Sequence, residues 1–150
     1  MPVRKALLLA AACVMALAPA TAAVAQDANT MKIRFTMDGK ELASATLADN
    51  ATARDFVASL PMTLTLEDYA ATEKISYLPR KLSTTGAPRG STPSAGDIAY
   101  YAPWGNLAIF HKDFRYSKGL VLLGRLDSGI EALRAPGARK VTIEPAGKSK

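Results

Sequence analysis

Tyr101, Trp104 and Phe110 lie within residues 99–110, the stretch AYYAPWGNLAIF, and Tyr69 follows the acidic pair Glu67-Asp68 on an earlier segment. Tyrosine and tryptophan each present a broad apolar face with one hydrogen-bonding tip, which suits a surface that holds a ligand. Tyr69, Tyr101, Trp104 and Phe110 are therefore the candidate binding residues. The competing assignment puts Phe110 and one of Tyr100 and Tyr101 in the hydrophobic core. Other chemistry has less to draw on. His111 is the only histidine, which excludes a histidine-cluster metal site. Glu67, Asp68 and Glu73 could bind a hard cation or exchange protons. No D-x-D-x-D-G loop accompanies them, and a solvated loop with Glu73 paired to Lys74 or to a backbone amide accounts for them as well. The chain has no G-x-S-x-G, P-loop or G-x-G-x-x-G pattern, so no catalytic nucleophile, metal or cofactor site is assigned.

The elements that must position the aromatic residues are short. Lys32 to Met37 alternates polar and apolar residues, Asp38-Gly39 is a hairpin signal, and Glu41 to Leu47 resumes the strand pattern. Asp49-Asn50 can cap a helix whose face carries Ala53, Phe56, Val57 and Leu60, with Thr52 and Asp55 spaced as a variant capping box and Pro61 as the stop. Met62 to Leu66 alternates with period two. Ile98–Ala102 and Leu107–Phe110 flank Pro-Trp-Gly-Asn as a hairpin, in which one of Tyr100 and Tyr101 faces inward and the other outward. Leu120 to Leu126 is an apolar strand, Ser128 caps a short helix with Ile130 and Leu133, and Lys140 to Glu144 is the last strand. Seven or eight strands and two short helices without βαβ alternation imply a mainly β fold, an antiparallel barrel with helices over its ends. Residues 83–97, STTGAPRGSTPSAGD, form no regular element and read as one long loop over the aromatic groove.

Residues 1–25 have the layout of a secretory signal peptide: Arg4 and Lys5, an apolar run over 6–18, then Ala23-Val24-Ala25 as the cleavage site. Residues 26–30 are expected to be a flexible start, 31–145 the barrel domain and 146–150 a basic disordered tail. Cys13 leaves with the leader, so the exported domain has no disulfide and depends on burying apolar surface. The implied location is periplasmic or extracellular, with membrane contact only through the export signal. Removing Arg4 and Lys5 from the 19 basic residues leaves 17 against 13 acidic, a net charge of +4. The excess is dispersed and lies away from the aromatic stretch, which argues against nucleic acid as a partner.

The segments Gly105 to Phe110, GLVLLGRL over 119–126 and DSGIEAL over 127–133 resemble the core of cyclophilins, and Asn50 to Leu60 is similar to their first helix. Across residues 31–145 the runs TLTLEDY, TEK, GDIAYY, PWGN and GLVLLGRLDSG look most like the small bacterial cyclophilin-like family. The resemblance implies a closed eight-stranded antiparallel barrel with two short helices. It does not imply prolyl isomerase activity, because F-H-R and Q-G-G-D are absent. The glutamine of the matched G-S-Q-F-F-I strand falls on Leu107, its second phenylalanine on Ile109, and a family histidine on Leu120. The expected function is a non-enzymatic module that binds a small molecule or an extended peptide segment on an aromatic surface. Two alternatives stand beside it: a weak isomerase using a relocated Lys74, Arg80 or Arg115, and an oligomer-forming module whose aromatic patch is a protein interface.

Overall fold

The computed structural model describes residues 30–147. The proposed leader over 1–25 and the tail from 148 lie outside the described residues. β1 (Met31–Met37) and β2 (Lys40–Leu47) form the expected hairpin, turning through Asp38 and Gly39 at φ of 52° and 77°. Gly39 and an aspartate before it suit such a left-handed turn because only short or absent side chains tolerate it. α1 (Ala51–Ala58) follows, with the Asn50 side chain accepting from the Ala53 amide at 2.8 Å. β3 (Met62–Tyr69), β4 (Glu73–Tyr77), β6 (Asp97–Tyr101), β7 (Asn106–Phe110), β9 (Leu120–Ser128) and β10 (Arg139–Pro145) complete the barrel. Its strand order is β1-β10-β3-β4-β7-β6-β9-β2, every pair antiparallel, with β2 returning to β1. α1 links the end of β2 to the start of β3 and covers one end of the barrel. α2 (Ile130–Arg134), between β9 and β10, covers the other.

Inward residues of every strand fill the interior, among them Ile33, Phe35, Leu66, Ile98, Leu107, Ile109, Leu123 and Ile143. Phe56 of α1 and Leu133 of α2 close it from above and below. Full burial of each such side chain contributes about 1.5–3 kcal/mol. Tyr100 is the inward member of its pair, 1% exposed, and its hydroxyl accepts from the Leu82 amide at 3.2 Å. β4 brings Lys74 inside as well. Its ammonium donates to the Gly137 carbonyl at 2.5 Å and pairs with Asp68 at 2.7 Å, while Asp68 also accepts from the Gly137 amide at 2.7 Å. The α2–β10 link is thereby tied to the β3–β4 hairpin.

Three local expectations are corrected. Thr52 and Asp55 do not close a capping box: Thr52 donates to the Ser83 carbonyl at 2.6 Å, and Asp55 accepts from the Ser83 amide at 2.7 Å and from Arg80 at 2.7 and 3.0 Å. They dock the segment after β4 onto the helix, a longer-range use of the same polar groups. Ser128 does not cap α2. Gly129 occupies the cap position with positive φ and no side-chain bond, and the Ser128 hydroxyl meets that of Ser44 at 2.8 Å. The 83–97 loop is also not wholly irregular, because β5 (Gly90–Ser91) pairs with β8 (Ser117–Lys118) outside the barrel.

Candidate functional site

β6 and β7 are buried on both faces, so something covers their outer side. Cross-strand register defines what lies there. One row runs Tyr69, Glu73, Phe110 across β3, β4 and β7. A second runs Asn106, Tyr101, Leu120 across β7, β6 and β9. Between them, Ala108 and Ala99 face each other, small enough for Phe110 and Leu120 to pack down on them as a separate apolar cluster. The rows are four residues apart on β7, about 13 Å. The segment from His111 to Gly119 returns over this face and places Phe114 against Phe110, ring centroids 6.3 Å apart at 29°. The Arg115 guanidinium lies 4.7 Å from the Phe114 ring centre.

A cavity of about 180 Å³ opens between these walls, and Tyr69, Tyr101, Trp104 and Phe110 all line it. Trp104, in the β6–β7 turn, reaches across to both tyrosines. Its ring stands nearly perpendicular to theirs, 5.6 Å from Tyr69 at 89° and 5.4 Å from Tyr101 at 77°. Trp104 and Tyr69 are 47% and 42% exposed, so the aromatic side of the cavity is open to solvent. Phe110 serves both as pocket wall and as core of the outer cluster.

The long loop does not roof the groove, since no residue of 83–97 lines the cavity. It braces the wall from behind. The Phe114 amide donates to the Pro93 carbonyl at 3.1 Å, the Gly119 amide to the Arg89 carbonyl at 2.8 Å, and the Ala95 amide to Asp113 at 2.9 Å. Asp97, buried, anchors the loop base by accepting from the Ser94 amide at 2.8 Å and pairing with Arg125.

Two polar residues of the cavity, Asn106 and Ser117, were not singled out from the sequence, and a third, Glu73, was read only with Glu67 and Asp68 as a cation ligand or proton carrier. Asn106 is 1% exposed; its Nδ2 donates to the Leu107 carbonyl at 3.1 Å, and its Oδ1 is buried without a hydrogen-bond partner. Burial pushes the Glu73 carboxyl above the usual carboxylate range. Among the described residues no basic side chain pairs with it, and Lys74, its expected partner, faces the opposite side of β4 and binds Asp68. The three carboxylates therefore separate, and among the described residues no group of acidic, histidine or cysteine side chains is placed to hold a metal ion. Of the three basic candidates, Lys74 is inside the barrel and Arg80 is held by Asp55; Arg115 alone lines the cavity. Leu107 and Ile109 point into the barrel, so the outward residues of β7 are Asn106, Ala108 and Phe110, of which Asn106 and Phe110 line the cavity. The period-two pleat carried that information, since Asn106 shares the parity of Phe110.

A family model described as the cyclophilin-like family matches residues 35–144. The chain belongs to the cyclophilin-like family. Among solved structures, the solution structure of a hypothetical protein from Archaeoglobus fulgidus is similar, with a TM-score of 0.60 and 18% identity over 78% of this chain and 95% of that one. At that identity the likeness shows the fold alone. No curated protein matches the chain. The cyclophilin-like barrel thus accounts for the sheet that carries the pocket, while the pocket's own side chains must be read for its chemistry.

Proposed function

We propose that this cyclophilin-like domain is a non-enzymatic binding module that takes a small molecule or an extended peptide segment in the outer aromatic pocket. One observation carries the reading: Tyr69, Tyr101, Trp104 and Phe110, drawn from three strands and a turn, line a single open cavity. Convergent aromatic walls with a few polar groups are the usual make-up of a ligand site. Export is part of the proposal and is supported by the order of charge, apolar run and small residues in the first 25 positions. A mass measurement of the N-terminus of the secreted protein should find Gln26 first.

The test of binding is an amide NMR titration of the protein with a short peptide containing an X-Pro bond, together with an exchange measurement at the proline. Shifts confined to the Tyr69, Tyr101, Trp104 and Phe110 neighbourhood without faster cis–trans exchange are expected. Shifts with acceleration would instead favour the isomerase alternative, for which Arg115 at the cavity wall is the supporting observation. If neither this peptide nor a small-molecule panel moves those signals, while the mass in solution is that of a dimer, the aromatic patch is a protein interface and the binding reading fails.

A further inference from the structure

The pocket's unmet polar groups have a common sign. Asn106 Oδ1 is buried and accepts nothing. A buried acceptor left unpaired is destabilising, a cost a bound donor removes. Glu73, at the other row, is a half-buried carboxylate with only the neutral Thr72 hydroxyl beside it, and no basic group of the described residues pairs with it. Both want a donor, and Glu73 wants one that is positively charged. Three rings line the same space, Trp104 meeting Tyr69 and Tyr101 edge to face. A cation lying against such an aromatic wall is attracted by the ring quadrupoles wherever a ring face is left open to it. Arg115 does not oppose this, because its guanidinium is exposed at the rim and already rests on Phe114. A cavity near 180 Å³ is slightly larger than the roughly 150 Å³ that accepts benzene, so an alkyl or aryl body of that size fits beside the charged group.

We infer that the ligand of this pocket carries an alkylammonium group, held by the Glu73 carboxylate and the Tyr69–Tyr101–Trp104 rings, with Asn106 Oδ1 accepting an N–H from the same ligand. The inference rests on the binding reading above and narrows its chemistry. Two sources offer the group: a free amine, or the lysine side chain of a peptide.

Trp104 is the only tryptophan, so its fluorescence reports on this pocket alone. The experiment titrates the protein with 2-phenylethylamine, 2-phenylethanol and 3-phenylpropionate, which share a body and differ in charge, and with the peptide acetyl-Gly-Lys-Gly-amide. Either the amine or the lysine peptide should bind at least tenfold more tightly than the alcohol and the carboxylate. Whichever of the two is tighter identifies the source. Glu73→Gln should erase that preference, bringing the amine's affinity to within about threefold of the alcohol's in the same variant. Asn106→Leu, checked for a native amide spectrum, should weaken the lysine peptide, whose backbone N–H groups can reach the second row, severalfold. Equal binding of alcohol and amine, or a preference that survives Glu73→Gln, overturns the ammonium assignment and leaves the pocket standing. If these probes leave Trp104 unperturbed while the X-Pro peptide shifts it, the ammonium assignment alone falls. Silence toward both sets removes the pocket reading too.

Discussion

At the scale of single residues, the informative side chains are those that serve the empty protein poorly. Glu73 spends free energy on burial, with no positive charge beside it to recover the loss. Its folded pKa lies above the unfolded one, so the folded state binds the proton more tightly and loses stability as pH rises through that raised value. Glu73→Gln should therefore raise the melting temperature at neutral pH, and the gain should vanish below about pH 4, where the carboxyl is protonated in both states. Melting curves of the two proteins at pH 4 and pH 7 check this. An equal gain at both pH values would trace the effect to packing instead of charge. The aromatic members of the site were legible because ring size and clustering are visible in a sequence. Glu73 and Asn106 were not, because a carboxylate beside a lysine and an asparagine in a turn signal have commoner uses; only the strand register places them beside the rings.

At the scale of elements, the pocket wall is a segment with little regular structure of its own, held by a loop with hardly more. Residues 111–119 stay over β6 and β7 because the 83–97 loop bonds to them along its length and β5 pairs with β8. That pairing requires Gly90: a Cβ there would lie 2.7 Å from the Tyr116 hydroxyl and closer still to the Ser117 carbonyl. Gly90→Ala should part the two strands, speed amide exchange across 111–119 and weaken ligand binding severalfold, with less than about 1 kcal/mol lost from global stability, since the barrel ladder is untouched. Hydrogen exchange followed by mass spectrometry separates this from general destabilisation, which would speed β1 and β10 equally. Glycine, proline and serine density marked the loop but could not reveal its two-residue pairing, which depends on partners 28 and 26 residues away. No strand was read from the sequence at β4 for a related reason. Its inward positions are Lys74 and Ser76, so the apolar alternation that signals a half-buried strand is inverted there.

At the scale of the whole molecule, the closed barrel was legible from its alternating strands and turn signals, whereas the clamps that fasten the connections to it were not, because they join residues far apart in sequence. Two of these clamps end on carboxylates. Asp55 is held at a pKa of about 2 by hydrogen bonds from Arg80 and from the Ser83 amide. Asp68 is likewise held below the usual range by Lys74 and the Gly137 amide. One fastens the segment after β4 to α1, the other the α2–β10 link to the β3–β4 hairpin, at opposite ends of the barrel. A depressed carboxyl contributes stability that is complete above its unfolded value and is lost as pH falls toward the folded one. Stability should thus be flat from neutrality to about pH 4 as far as these groups are concerned, then decline steadily toward pH 2 as the unfolded chain takes up the protons first. The elevated Glu73 works in the other direction and at higher pH, adding stability as pH falls from neutrality to about 4, before that decline begins. Asp55→Asn should cost about 1–2 kcal/mol at pH 7, because the charge-assisted bonds to Arg80 and Ser83 weaken. It should also flatten the limb below pH 4, since one of the two titrating clamps is gone. Urea midpoints at pH 2, 3, 4 and 7 for the native protein, Asp55→Asn and Asp68→Asn measure both effects. A native protein equally stable at pH 4 and pH 2 would mean that neither clamp holds its end of the barrel by charge, and the connections would then depend on Phe56 and Leu133 alone.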